Sequence, residues 1–118
     1  MIEETINSII GETYNKDTNN CWHTVQKINR NAPGMDALVD IYRDIQRGED
    51  VSVPFREVSA FNTLDIVLLG DREDHLHHAG VVYAGLIIHN TPSTGVIAQD
   101  IDLVKMNFKV IKGYRYVS

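Results

Sequence analysis

The pattern of hydrophobic and polar positions divides the chain into a helical first half and a second half of short strands. Isoleucines recur at helical spacing over residues 2–10, and Gly11 ends that segment. A second helix is predicted to begin at about Cys21, because the preceding Asn20 is a favoured N-cap residue. A further apolar stripe predicts a helix over residues 36–46.

Strand patterns fill the second half. They are predicted at residues 64–69, 79–83, 86–89, 95–98, 108–111 and 114–117. Ala84 and Gly85 separate the second and third of these, and a glycine there supplies the positive φ of a tight hairpin turn. Residues 49–62 and 71–76 are predicted to be an irregular connection and a polar loop. Helices followed by strands predict an α+β fold.

Length and composition indicate one domain over residues 1–118 with the composition of an ordinary soluble globular protein. The single cysteine excludes an internal disulfide. The net charge is -5, from 11 basic and 16 acidic residues, and no Lys/Arg cluster is present. Nucleic-acid binding therefore gains little support.

The N-terminus carries Glu3 and Glu4 where a secretory signal needs basic residues. The longest apolar run, near residues 66–69, is far too short to span a bilayer. We therefore expect synthesis in the cytoplasm and no membrane partner. Delivery to a target outside the cytoplasm would need another carrier.

Cys21 has two interpretations. At the start of a helix its thiol would lie among unpaired backbone N–H groups at the positive end of the dipole, which lowers a thiol pKa. The same groups could hold a developing oxyanion. Alternatively, Cys21 is a buried structural cysteine and Trp22 beside it belongs to the core, since free cysteines are among the most buried residues. Position alone favours this second interpretation.

His78 begins one predicted strand and His89 ends the next. In a tight hairpin, position 78 lies opposite roughly 89–91, so the two rings could be neighbours on adjacent strands. One ring could then act as a base and the other could fix its orientation. Whether they share a face depends on the length of the turn. The alternative for each is an exposed histidine at a strand end, paired with a loop carboxylate.

Further histidines and acids surround the predicted loop: Asp71, Glu73, Asp74, His75 and His77, next to His78. Imidazole and carboxylate suit zinc, but the spacing matches no established ligand pattern. A solvated polar loop is the simpler interpretation, and we predict no metal site. His23, on the Cys21 helix, is expected to be partly exposed and without a special role.

Together, these segments resemble the NlpC-type family of papain-like cysteine peptidases, which cut bacterial cell-wall peptides. The closest resemblance is to the variety found in tail-tip assembly proteins of tailed phages. It is carried by Asn20-Cys-Trp-His-Thr-Val25, Leu64-Asp-Ile-Val-Leu-Leu69, His78-Ala-Gly-Val-Val-Tyr-Ala-Gly85, Leu86-Ile-Ile-His89, Gly95-Val96 and Gly113-Tyr-Arg-Tyr116. Order and spacing agree over about Tyr14 to Tyr116. This combination favours the reactive interpretation of Cys21.

The resemblance implies a papain-like fold, with N-terminal helices packed on an antiparallel sheet. It also implies hydrolysis of a peptidoglycan stem-peptide bond between D-glutamate and a diamino acid, without a cofactor. Cys21 would be the nucleophile, His78 the general base and His89 the third, orienting member. Tyr14 and Trp22 would contact substrate.

The chain departs from the wall hydrolases around the cysteine. They usually have Asp before it and Ser-Gly after it, where this chain has Asn20, Trp22 and His23. Asp65 matches a family position and is interpreted as structural, capping the start of a strand. These departures leave the substrate open.

Two rival functions follow from the same motifs. The chain could be a structural tail-tip or assembly component with little activity, with other phage tail proteins as partners and the virion as its location. It could also be a papain-like toxin amidase that acts on a substrate other than the cell wall.

Overall fold

In the computed structural model, which describes residues 2–29 and 55–116, both N-terminal helices are present. Helix α1 spans Ile2–Ile9 and helix α2 spans Cys21–Asn29. Both ends that the sequence predicted, at Gly11 and at Cys21, are therefore confirmed. The helix predicted over 36–46 lies outside the described residues.

Among the described residues, six strands form one sheet in which all paired neighbours are antiparallel, in the order β1-β6-β2-β3-β4-β5. They are β1 (Phe55–Val58), β2 (Ile66–Arg72), β3 (His75–Tyr83), β4 (Leu86–Thr91), β5 (Gly95–Asp100) and β6 (Val110–Tyr116). A short helix, α3 (Ile101–Asn107), connects β5 to β6. The predicted α+β class with an antiparallel sheet is confirmed.

The predicted boundaries were wrong at both ends of the strand region. Residues 55–58 lie in the segment predicted to be irregular, yet they form the edge strand β1. The two strands predicted at 108–111 and 114–117 are one continuous strand, β6. Gly113 pairs there with both neighbouring strands, and a Cβ at this position would lie 2.5 Å from the Phe61 ring. Close packing, and not a break in the strand, thus explains this glycine.

The loop predicted over 71–76 and the connection after β5 also differ from expectation. Strand β2 runs on to Arg72 and β3 begins at His75, so only two residues form the turn. Helix α3 was not predicted. It begins because the Asp100 side chain accepts a hydrogen bond from the backbone N–H of Asp102, at 2.9 Å.

The β3–β4 hairpin has the predicted two-residue turn. Ala84 and Gly85 have φ values of 49° and 82°, and a turn with two positive φ angles matches the twist of the strands it joins. The register brings Gly80 opposite His89. The turn therefore fixes which residues of the two strands face each other.

The sheet has a core on each face. One core packs beneath α1 and α2 and contains Ile6, Ile9, Cys21, Trp22, Val25 and Ile28 with strand residues such as Val81 and Ile88. The other packs beneath α3 and contains Val67, Leu69, Val82, Ile87 and Val104. The N-terminal helices thus pack on the sheet as expected, and α3 covers its opposite face.

Asp65 has the structural role that the sequence indicated. It is 2% exposed, and its carboxylate accepts the backbone N–H of Asn62 at 2.7 Å. Arg115 on β6 donates to both carboxylate oxygens, at 2.9 and 2.8 Å. The pair ties the segment before β2 to β6, away from the histidines.

Within residues 2–29 and 55–116, no helix is long and apolar enough to cross a membrane.

Candidate active site

The start of α2 is capped by two reciprocal sets of hydrogen bonds between side chains and backbone N–H groups. The Asn20 side-chain oxygen accepts hydrogen bonds from the backbone N–H groups of Trp22, at 2.9 Å, and His23, at 3.1 Å. In return, Nδ1 of His23 accepts the backbone N–H of Asn20 at 3.1 Å. This reciprocal arrangement is a capping box in which histidine takes the usual place of glutamate. The predicted N-cap is confirmed, and His23 has a role that sequence analysis missed.

The loop before Cys21 is fixed to the end of β4. Asn90, which is fully buried, donates from Nδ2 to the backbone oxygen of Asn19 at 2.9 Å. Lys27 on α2 donates to the Asn19 side-chain oxygen at 2.9 Å. These contacts hold the start of α2 beside the strand that carries His89.

The thiol of Cys21 is buried against the backbone of β3. The residue is 8% exposed, and its thiol has hydrogen bonds with the backbone at Ala79, Trp22 and Cys21 itself. Ala79 directly follows His78 in the chain, but their side chains lie on opposite faces of the sheet. Ala79 belongs to the same core as Cys21, whereas His78 pairs with Leu69 of the other core. The His78 ring therefore does not face the Cys21 thiol.

The prediction of a lowered thiol pKa was wrong. Burial raises the pKa of Cys21 by more than the three backbone contacts lower it. One of the N–H groups counted at the helix start, that of Trp22, is also held by Asn20 at 2.9 Å. The resting cysteine is therefore a neutral thiol.

His78 and His89 are direct neighbours, as predicted. Nε2 of His78 lies 2.8 Å from Nδ1 of His89, and both residues are buried. The two-residue turn settles the open question of parity, because it places both rings on one face. Nε2 of His89 in turn lies 2.6 Å from Oε1 of Gln99 on β5.

Two packing contacts hold these rings in place. The Phe108 ring stacks on His78, with centroids 5.2 Å apart and planes 8° apart. Gly80 stands opposite His89, where a Cβ would lie 3.2 Å from the His89 Cβ and 2.9 Å from a methyl group of Ile87. Glycine thus provides the space that the His89 side chain occupies.

The strand is irregular at the same place. Leu69 pairs with His78 but Gly70 pairs with Leu76, so His77 is an extra residue on β3. Bulges of this kind re-aim side chains and are frequent beside active sites. Here the bulge directly precedes His78.

Burial keeps both histidines neutral. It lowers the pKa of His78 to about 3, with smaller contributions from the neighbouring His89 and His77. It also lowers the pKa of His89, against a raising effect of the hydrogen bond to Gln99. Near neutral pH the site therefore contains a thiol and two neutral imidazoles, and no thiolate–imidazolium pair.

The two residues predicted to contact substrate lie in different environments. Tyr14 is half-buried in the loop before α2. Trp22 is 8% exposed and packs in the core beneath α2, as its alternative interpretation held. We therefore correct the expectation for Trp22 and assign it no substrate contact.

Three residues of the histidine-rich turn come together at the surface. Asp71, His75 and His77 each offer a possible metal-ligand atom within 4.8 Å of the others, and all three are exposed. The His75 and His77 rings stack with centroids 4.9 Å apart. His78 faces His89 instead. The group could accept a divalent ion, although exposed groups of this kind are common without one.

Gln99 and Phe108 belong to the site but were not found from the sequence. The predicted strand that corresponds to β5 stopped at residue 98, one short of Gln99, and Phe108 was assigned to a strand. A longer fifth strand would have indicated Gln99, because its register with β4 places it near His89.

No protein-family model matches the sequence, and no curated protein matches it. The geometry of the site and the sequence motifs are therefore the basis for a function.

Proposed function

We propose that this protein is an NlpC-type, papain-like cysteine peptidase that hydrolyses peptidoglycan stem peptides at the bond between D-glutamate and a diamino acid. We further propose that it acts as a phage tail-associated or prophage-encoded protein. One observation carries the proposal. The Cys21 thiol lies against the β3 backbone at Ala79, and the adjacent residue His78, held by His89, points from the same bulged stretch of β3 to the opposite face of the sheet.

The proposed reaction is acyl transfer through a thioester. In this scheme the His78 ring first turns to the face of the sheet that carries the thiol, and it takes the thiol proton as the Cys21 sulfur attacks the amide carbon. His78 then protonates the leaving amine while the C–N bond breaks, and water hydrolyses the thioester. Because burial disfavours the ion pair at rest, proton transfer and attack are coupled in this scheme.

The oxyanion is the other charge that the site must stabilise. The backbone N–H of Trp22 is already held by Asn20, which leaves the N–H of Cys21 as the proposed donor at the helix start. The helix dipole adds to its effect. The proposal therefore uses one of the two backbone groups expected from the sequence.

The substrate class is supported by the motifs at residues 20–25 and 78–89, which resemble those of wall endopeptidases. Tyr14, half-buried before α2, is the residue we propose for contact with the substrate amine.

The test compares wild type, Cys21→Ala and His75→Ala on purified peptidoglycan, with products identified by mass spectrometry. His75 is an exposed histidine and serves as the matched control. Wild type and His75→Ala should release peptides cut after D-glutamate, and Cys21→Ala should release none while keeping the same circular dichroism. Equal products from wild type and Cys21→Ala would sink the proposal. Activity on an unrelated protein substrate alone would indicate the toxin-type amidase instead.

A second candidate is a structural tail component that keeps the fold without the chemistry. It is favoured by the burial of Cys21 and by the position of the His78 ring on the opposite face of the sheet, since an inert core cysteine has no base beside it. Under this alternative, the Cys21→Ala variant should assemble into particles as well as wild type does, and neither should cut wall peptides.

A further inference from the structure

The series of side-chain hydrogen bonds through His78 and His89 extends to one residue outside the proposed triad, Gln99. His78 contacts His89 at 2.8 Å, and His89 contacts Gln99 at 2.6 Å. We infer that Gln99 is a positioning residue, which selects the ring nitrogen that carries the proton in His89 and, through it, in His78. The consequence for catalysis rests on the proposed thiol chemistry.

The hydrogens on the two rings are fixed one after another from Gln99. A neutral imidazole has one N–H and one lone pair, and a side-chain amide oxygen can only accept. Oε1 of Gln99 therefore requires the hydrogen of His89 on Nε2. Nδ1 of His89 then has a lone pair and must accept a hydrogen from Nε2 of His78. The His78 hydrogen is thereby fixed on Nε2.

The remaining nitrogen of His78 is the one that matters for chemistry. With its hydrogen on Nε2, His78 has a lone pair on Nδ1 and can take a proton there. If Gln99 presented its amide nitrogen instead, the hydrogen of each ring would move to its other nitrogen, and Nδ1 of His78 would carry a hydrogen. A single amide group, separated from the proposed base by one ring, thus determines whether Nδ1 of His78 can accept a proton.

The surroundings favour one arrangement over a mixture. Both rings are buried, so two facing N–H groups or two facing lone pairs would leave a polar group unsatisfied. The stacked Phe108 ring and the tight contact at Gly80 oppose rotation of the imidazoles. The lowered pKa values of both histidines keep each ring at one hydrogen near neutral pH.

The direct test is ¹⁵N NMR of histidine-labelled protein near neutral pH, which distinguishes protonated from unprotonated ring nitrogens. In wild type, both His78 and His89 should carry hydrogen on Nε2. Gln99→Met keeps the length of the side chain but removes the acceptor, and Gln99→Lys offers only donors. Met should give a mixture of tautomers, and Lys should move the hydrogens to Nδ1.

The control is Ala98→Ser, an exposed neighbour on the same strand, which should leave the wild-type tautomers unchanged. A hydrogen on Nδ1 of His78 in wild type would overturn the inference, and this result needs no variant to fold. Wild-type tautomers in a folded Gln99→Met protein would overturn it as well.

Activity provides a separate readout. In serine proteases the wrong histidine tautomer costs about 10⁴-fold in kcat, so we expect kcat to fall by roughly 100-fold or more in Gln99→Met and Gln99→Lys, with KM changing little. A purely structural role would instead lower stability without moving the tautomers. If wild type cuts no wall peptide but the tautomers shift as described, the proposed function fails and the role of Gln99 stands.

Discussion

Nε2 of His78 lies 2.8 Å from Nδ1 of His89, eleven residues further along the chain. This contact depends on the two-residue turn between them, Ala84-Gly85. Adding or removing one residue at Ala84-Gly85 would move His89 to the other face of the sheet, because side chains alternate along a strand. Gly80 provides the room for His89 within that register. The hairpin and the histidine pair are therefore one structural unit.

Removing His89 should affect both stability and activity. In His89→Ala, the N–H of His78 loses its acceptor in a buried site, which should lower the free energy of unfolding by about 1–3 kcal/mol. Hydrolysis of wall peptides should fall by roughly 100-fold, as expected for loss of the group that orients a base. Urea unfolding and peptide hydrolysis measure the two effects. His75→Ala is the control and should change stability by less than about 0.5 kcal/mol. Equal stability of His89→Ala and wild type would contradict the buried hydrogen bond.

Acid should destabilise the protein through His78. Its pKa is about 3 in the folded protein and 6.5 in the unfolded chain, so the unfolded chain binds more protons between these values. The stability from the neutral ring is complete above pH 6.5 and is lost as pH falls towards 3. At pH 5 the loss should be about 2 kcal/mol relative to pH 7.5.

The control for this prediction is His78→Gln, which cannot titrate. Its free energy of unfolding, measured with urea at both pH values, should fall less than that of wild type. The remaining pH dependence should come from His89, whose pKa is also lowered by burial. A wild-type protein as stable at pH 5 as at pH 7.5 would show that His78 is not buried in its neutral form.

The hairpin and the histidine pair could be predicted because their signals are local. A glycine in a two-residue turn and an eleven-residue separation of His78 and His89 are enough to bring two neighbouring strands together. Gln99 and Phe108 come from β5 and from the segment after α3. Their approach depends on the order of strands and on an unpredicted helix, so nothing adjacent in sequence to His78 indicates them.

The thiol shows a second limit of sequence reasoning. The helix start and its cap at Asn20 were predicted correctly, because capping is decided by a few neighbouring residues. The direction of the Cys21 pKa shift was predicted wrongly, because it depends on burial, and burial depends on how α2 packs against β3. Desolvation of a thiol can outweigh favourable backbone contacts, and only the tertiary structure shows how much of it occurs.

Alkylation should reveal the neutral thiol directly. Since burial raises the pKa of Cys21, the fraction of thiolate at pH 7 is below that of a free cysteine, and iodoacetamide should react more slowly. The rate should increase with pH, with a midpoint above the ordinary cysteine value. The same protein in urea should react like a free thiol and serves as the control. Faster reaction of the folded protein at pH 6 would restore the thiolate expected from the sequence.

Asp65 should be required for stability but not for chemistry. Asp65→Ala removes the acceptor of the Asn62 N–H and of Arg115, which should lower the free energy of unfolding by about 2–3 kcal/mol. Urea unfolding measures this loss. The exposed acid Asp74 offers a control, because Asp74→Ala should be nearly neutral. Below the unfolding transition, the His78 and His89 tautomers of Asp65→Ala should match those of wild type. A change in them would connect Asp65 to the site.

The cap of α2 links stability to the thiol. Asn20→Ala removes the acceptor of the Trp22 and His23 N–H groups and should lower the free energy of unfolding by about 1 kcal/mol. Asn20→Asp keeps both hydrogen bonds and should retain stability. Its negative charge next to Cys21 disfavours the thiolate, so iodoacetamide should react more slowly than with wild type. Asn7→Ala, at an exposed position in the middle of α1, is the matched control and should be neutral. If Asn20→Ala and Asn7→Ala unfold at the same urea concentration, the capping box does not stabilise α2. If Asn20→Asp reacts as fast as wild type, the carboxylate does not act on the thiol, and the start of α2 is more open to water than its burial indicates.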